Sequence, residues 1–175
     1  MRKSIFVLLL VLLITGCGFH LRGPMPLAPA MHDLYIETQD PYGQLTRNLR
    51  QFLKQSGVNL VEKKEQATIL LVILSEATSQ QLLSLSGTQQ TRQYNLILTV
   101  TFQLTNPQGA VLITPQTARE TRTLTIKADQ ILAGSNEANT LYDQMRQAII
   151  YDIMSRLSSK DITVQLTTAV PVTTP

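Results

Sequence analysis

The chain has 175 residues, of which 43% are apolar, 15% charged and 5% aromatic, with one Cys and no Trp. This length suits one domain with a core of its own, and a single Cys excludes an internal disulfide framework and a Cys-rich zinc site. The formal charge of +3 invites an anionic partner such as nucleic acid or a membrane surface, so the location of the excess decides what it means.

Residues 1–17 read MRKSIFVLLLVLLITGC. Arg2 and Lys3 precede an apolar run from Ile5 to Ile14, too short to cross a ~30 Å hydrocarbon core as a helix. This is the pattern of a secretory signal. Its end, Ile14-Thr15-Gly16-Cys17, resembles a bacterial lipobox: an aliphatic residue, two small residues, and the Cys whose sulfur is alkylated by diacylglycerol before cleavage. Residues 1–16 are therefore the expected signal peptide, with Cys17 as the lipidated mature N-terminus. Acyl chains burying methylenes at roughly 0.8 kcal/mol each make a stable anchor. Gly18 follows, not Asp, which by resemblance to Gram-negative lipoproteins directs the product to the outer membrane. Cleavage removes two basic residues and leaves thirteen against twelve acidic ones, a mature charge of +1. The basic balance then no longer argues for nucleic acid.

Residues 17–33 carry Pro24, Pro26 and Pro29, which exclude helix and predict an extended tether reaching up to about 40 Å. Leu34 to Thr38 alternates as a first strand. Asp40-Pro41 predicts an N-cap and first helical residue. Leu45, Leu49, Phe52 and Leu53 then form one helical stripe up to about residue 56, and Gly57 is placed to end it. Val58 to Val61 is a short extended piece. Thr68 to Ala77 is a dense Ile/Leu/Val run, read as a strand buried on both faces or nearly so; Leu82 to Leu85 is a candidate continuation, against which Gln80-Gln81 and Ser84-Leu85-Ser86-Gly87 read as the approach to a loop tip. From Tyr94 to Leu104 apolar and polar residues alternate, with Ile97 the exception. Asn106-Pro107-Gln108-Gly109 is a turn, followed by a strand from Val111 that breaks near Pro115 and continues to about Ile126, giving a hairpin. A second helix is predicted from about Ser135 over some 22 residues, with Ala138, Leu141, Tyr142, Met145, Ala148, Ile149, Ile153 and Leu157 on its apolar stripe. Residues 161–175 lack periodicity and are expected to be a flexible tail. The whole predicts an α/β two-layer sandwich at 34–160: two amphipathic helices packed on a mixed sheet of about four strands.

No catalytic or metal-binding pattern occurs. The two histidines, His20 and His32, both fall in the tether, and no zinc, nucleophile-elbow or phosphate-loop motif is present. A carboxylate pair formed in space by Glu76 or Glu120 is the remaining route to an enzyme. No cofactor is predicted. Charge placement is more informative. From Ala77 to Ala128 there are Arg92, Arg119, Arg122 and Lys127 against Glu120 alone, while the rest of the mature chain is neutral or acidic. These four bases are candidate contacts for a phosphate-bearing anion such as a lipid headgroup, the alternative being solubilising charge on a sheet rim. Thr and Gln make up 38 of the 175 residues and concentrate on the polar sides of the strands at 78–125, a composition that suits an interface low in charge as well as simple β-propensity.

Cys17-Gly18-Phe19-His20-Leu21-Arg22 resembles the start of the mature chain in the LptE family of lipopolysaccharide-assembly lipoproteins. IETQDPYGQLTRNLRQFLKQSG (residues 36–57), TRQYNLILTV (residues 91–100) and the Asn136-Glu137 opening of the second helix follow that family's pattern in order, over about residues 1–160. The resemblance implies an outer-membrane, lipid-anchored protein that is not an enzyme. It would plug the LptD β-barrel, help it assemble, and with it insert lipopolysaccharide into the outer leaflet; members of the family can also bind lipopolysaccharide. It also implies that the loop near 84–92 reaches the barrel wall or its extracellular loops. Family members carry basic residues in that loop and before the second helix. Here the loop has only Arg92 at its far end, and Ala133-Gly134-Ser135 has none. The competing reading is an anchored auxiliary lipoprotein of a phospholipid-transport system.

Overall fold

The computed structural model describes residues 25–85, 91–127 and 131–169. The expected signal peptide, Cys17 and His20 lie outside the described residues. Strand β1 (Asp33–Thr38) buries Leu34 and Ile36 and turns Tyr35 and Glu37 the other way, the alternation of a strand covered on one face. Helix α1 (Gln44–Gln55) carries Leu45, Leu49 and Leu53 into the core on one stripe. It starts later than Asp40-Pro41 predicts. The Asp40 carbonyl accepts from the Gly43 N–H at 3.3 Å and from the Thr46 hydroxyl at 2.8 Å. These bonds close a turn ahead of the helix, and Gly43 becomes the N-cap residue. A side chain at position 43 would run into the Asp40 carboxylate. At the far end Gly57 adopts φ +83°, the left-handed conformation that ends a helix.

Strand β2 (Asn59–Leu60) pairs in parallel with β1, and β1 in parallel with β3 (Ile69–Leu85). β3, β4 (Thr91–Thr105) and β5 (Val111–Lys127) form an antiparallel meander, so the mixed sheet runs β2-β1-β3-β4-β5. It has five strands rather than about four, because the short 59–60 piece holds two residue pairs with β1. Asn106 closes the β4–β5 turn: its carboxamide oxygen accepts from the Gln108 and Ala110 N–H groups at 3.1 and 2.8 Å, while Gly109 takes φ +87°. Pro115 does not split β5; the register slips beside it, and the strand continues as a sheet edge, where proline is tolerated.

Helix α2 (Ile131–Leu157) starts before Ser135 and buries Met145, Ile149, Ile150, Ile153, Met154 and Leu157. Tyr151 is exposed on one side but meets Phe52 of α1 edge-on, with centroids 4.9 Å apart. Helix α3 (Lys160–Ala169) occupies the segment expected as a flexible tail. The Ser159 hydroxyl accepts from the Ile162 N–H at 3.3 Å as its cap, and Ile162 and Leu166 are buried. The expected tether also folds at its end. Ala28, Ala30 and Met31 join the core, with Pro29 opening a 3-10 turn at a position that needs no N–H donor.

One core holds the layers together. It takes Leu34 and Ile36 from β1, Ile69, Leu71 and Ile73 from β3, Leu96 to Leu104 at alternate positions of β4, and Ala118 and Leu124 from β5. Cross-strand pairing places all of these on one face of the sheet, and the three helices cover that face. The 68–77 run is buried on both faces only as far as Ile73. There β1 ends opposite it at Thr38, and from Leu74 to Ser84 the β3 residues are exposed.

Candidate functional site

No helix lies over the second face of the sheet among the described residues. Pairing assembles this face from Ser75, Ala77, Ser79 and Gln81 of β3; Gln93, Asn95, Thr99, Thr101 and Gln103 of β4; and Thr117, Thr121, Thr123 and Thr125 of β5, with Ile97 of β4 buried among them between Ser79 and Thr121. Thr101 and Thr117 face each other with hydroxyls 3.3 Å apart. The face is thus a field of hydroxyl and amide groups that can donate or accept hydrogen bonds and carry little charge.

The sheet divides the four basic residues singled out in the sequence. Arg119 pairs with Thr99 and Lys127 with Thr91, which puts both on the open face. Arg122 pairs with Leu96 and Arg92 with Ile126, which puts both on the helix face. Arg122 is held there by Glu120 at 2.8 Å. A β-strand sends successive side chains to opposite faces, so residues 119 and 122 do not share one, and the four bases fall into two pairs.

Glu76 and Glu120, the two carboxylates considered as members of a catalytic pair, do not meet each other. Each has its own arginine, and β4 separates their strands. Glu76 meets Arg146 of α2 at 2.8 Å, and Arg146 also meets Asp143 at 3.1 Å. Tyr142, one turn earlier, donates to the Ser79 carbonyl at 3.3 Å. Burial raises its phenol above the usual value of 10.0, partly offset by Arg146. These α2–β3 contacts span more than 60 residues of sequence. The His32 imidazole meets the carboxylate of its neighbour Asp33, at 3.2 Å on the surface. Beside Glu76, at the end of β1, lies a cavity of about 360 Å³. Among the described residues no three His, Cys, Asp or Glu side chains gather as metal ligands, and no helix is long and apolar enough to cross a membrane.

Comparison with known proteins agrees with this layout. Residues 31–157 match the family LptE: Lipopolysaccharide-assembly. The chain is 33% identical over 161 residues to the LPS-assembly lipoprotein LptE of Yersinia enterocolitica, covering 90% of this chain and 77% of that protein. It is 30% identical over 161 residues to the LPS-assembly lipoprotein LptE of Pectobacterium atrosepticum, covering 90% and 86%. The solution structure of lipoprotein B from Nitrosomonas europaea superposes with a TM-score of 0.69 at 25% identity, over 86% of this chain and 96% of that one. The crystal structure of rare lipoprotein B from Shewanella oneidensis, at TM-score 0.65 and 24% identity over 76% and 98%, shares the fold. The chain belongs to the LptE family, whose role is the non-enzymatic assembly of lipopolysaccharide.

Proposed function

We propose that this chain is an outer-membrane lipoprotein, anchored through Cys17 after removal of residues 1–16, that plugs the LptD β-barrel and helps it assemble. The pair would form the translocon that inserts lipopolysaccharide into the outer leaflet. Residues 17 to about 27 then connect the lipid to the folded domain. The observation that carries this reading is the open sheet face. The interior of a large outer-membrane barrel is polar, and a helix-free surface rich in Thr, Gln, Asn and Ser side chains can exchange hydrogen bonds with such a wall. Arg119 and Lys127 on that face are proposed as one set of lipopolysaccharide phosphate contacts, with Arg92 and Arg122 as a separate set across the sheet.

The test is a pull-down of the tagged full chain from detergent-solubilised outer membranes, with partners identified by mass spectrometry. Co-purification of a large β-barrel that shields the domain from protease is the expected result. Recovery of the protein only as a free lipidated monomer would overturn the reading. Recovery with parts of a phospholipid transporter would move the chain to the competing role of an auxiliary lipoprotein.

A further inference from the structure

Past the end of β1, strand β3 continues for twelve residues with one side unpaired. From Ser75 to Leu82 it pairs with β4 in unbroken register, between slips at 73/75 and 82/84. Its other side meets no strand among the described residues. Sheet edges in free proteins are guarded by charge, proline or cover. The β5 edge follows that rule with Pro115, Arg119, Glu120, Arg122 and Lys127. The β3 edge does not. From Ala77 to Thr91 the chain has no charged residue and no proline, every residue from Leu74 to Ser84 is exposed, and Glu76 is bound to Arg146. Along it the Ser79 carbonyl accepts a hydrogen bond from the Tyr142 hydroxyl.

The head of this edge opens on the cavity of about 360 Å³, lined in part by Thr38, Asp40, Thr46, Ser75, Glu76 and Arg146. Its lining is acidic by one charge, and because Glu76 is paired with Arg146, Asp40 is the carboxylate left to meet an added base. Asp40 and Glu76 stand against Arg146, and Arg146 is shared with a further carboxylate, Asp143. We propose that the β3 edge from Ser75 to Leu82 takes up an extended segment of a partner polypeptide as a sixth strand, with a Lys or Arg side chain of that segment seated in the Asp40–Glu76 cavity. Strand addition supplies main-chain hydrogen bonds for affinity and a side-chain pocket for specificity. A second copy of this chain pairing through the same edge does not fit, because residues 75–82 contain no base to fill the cavity; neither do residues 170–175, VPVTTP. The inference does not rest on the barrel reading, since it names a peptide chemistry and holds whichever protein supplies the segment.

The experiment is amide hydrogen exchange on the full lipidated chain in detergent micelles. The probes are two peptides of about nine residues, alternating Thr and Val, with a central Lys in one and Glu in the other. The expected result is exchange slowed about tenfold or more across 75–82 with the Lys peptide, and little change with the Glu peptide. Core amides of β4 between Leu96 and Leu104 serve as the fold control. The Lys peptide should lose most of its effect on a chain carrying Asp40→Asn and Glu76→Gln. No slowing with either peptide, or equal slowing with both, overturns the proposal. So does slowing that grows with protein concentration when no peptide is present, which would mark a second copy as the occupant.

Discussion

Arg119 and Arg122 stand three positions apart on β5, and the pleat sends one to the open face and the other under α2's side of the sheet. Arg122 already spends its charge on Glu120 at 2.8 Å, whereas Arg119 and Lys127 stand among threonines. A double variant Arg119→Gln/Lys127→Gln should therefore lower lipopolysaccharide binding by about three- to tenfold, and Arg92→Gln/Arg122→Gln by less. Titration of labelled lipopolysaccharide into the purified chain measures both; equal losses would contradict the division by face. Tyr142 gives a pH prediction. Burial holds its phenol above the usual 10.0 in the folded chain, so the neutral form is the one that the fold favours. That contribution is complete below pH 10 and is lost as pH rises through the raised folded value. Denaturant unfolding between about pH 9 and 11.5 should show a decline that Tyr142→Phe reduces; identical curves for the two proteins would remove Tyr142 as the cause.

At the scale of elements, α3 and β3 show what local pattern conveys. A ten-residue helix is marginal alone, so α3 persists because Ile162 and Leu166 join the core formed by the other elements. Leu166→Ala should cost about 2–5 kcal/mol, and Ser159→Ala about 1 kcal/mol through the lost cap. Urea denaturation of the full chain measures both, and a change under about 0.5 kcal/mol for Leu166→Ala would mean that α3 is not docked. The signal was present in sequence: Ser159 as cap, Asp161 in the first turn, and Ile162 and Leu166 four apart. It was outweighed by the Thr/Val/Pro composition of the residues that follow. For β3, the dense apolar stretch to Ile73 was legible as a buried strand. Its polar continuation through Ser79, Gln80 and Gln81 was not, because hydrogen bonding to β4, rather than burial, keeps those residues extended.

At the scale of the whole molecule, the proposed anchor residue Cys17 precedes the folded domain in sequence. If Cys17 carries the lipid, Cys17→Ala should leave an unprocessed, unlipidated precursor and deplete the protein from outer-membrane fractions. Fractionation with mass measurement checks this, and outer-membrane recovery equal to wild type would refute the anchor. The sequence by itself determined the two-layer α/β class, the principal helices, the hairpin and the alternation along β4 and β5, since each rests on periodicity within a dozen or so neighbouring residues. It also held the motif that pointed to the LptE family. Only the tertiary structure decided which face the helices cover, that Ala28 to Met31 and α3 belong to the core, and that Glu76 pairs with Arg146 seventy residues away. It likewise decided that β1 stops at Thr38 and leaves the rest of β3 as an open edge. Those outcomes depend on which surfaces remain to be buried once distant segments meet, and no local pattern of side chains encodes that.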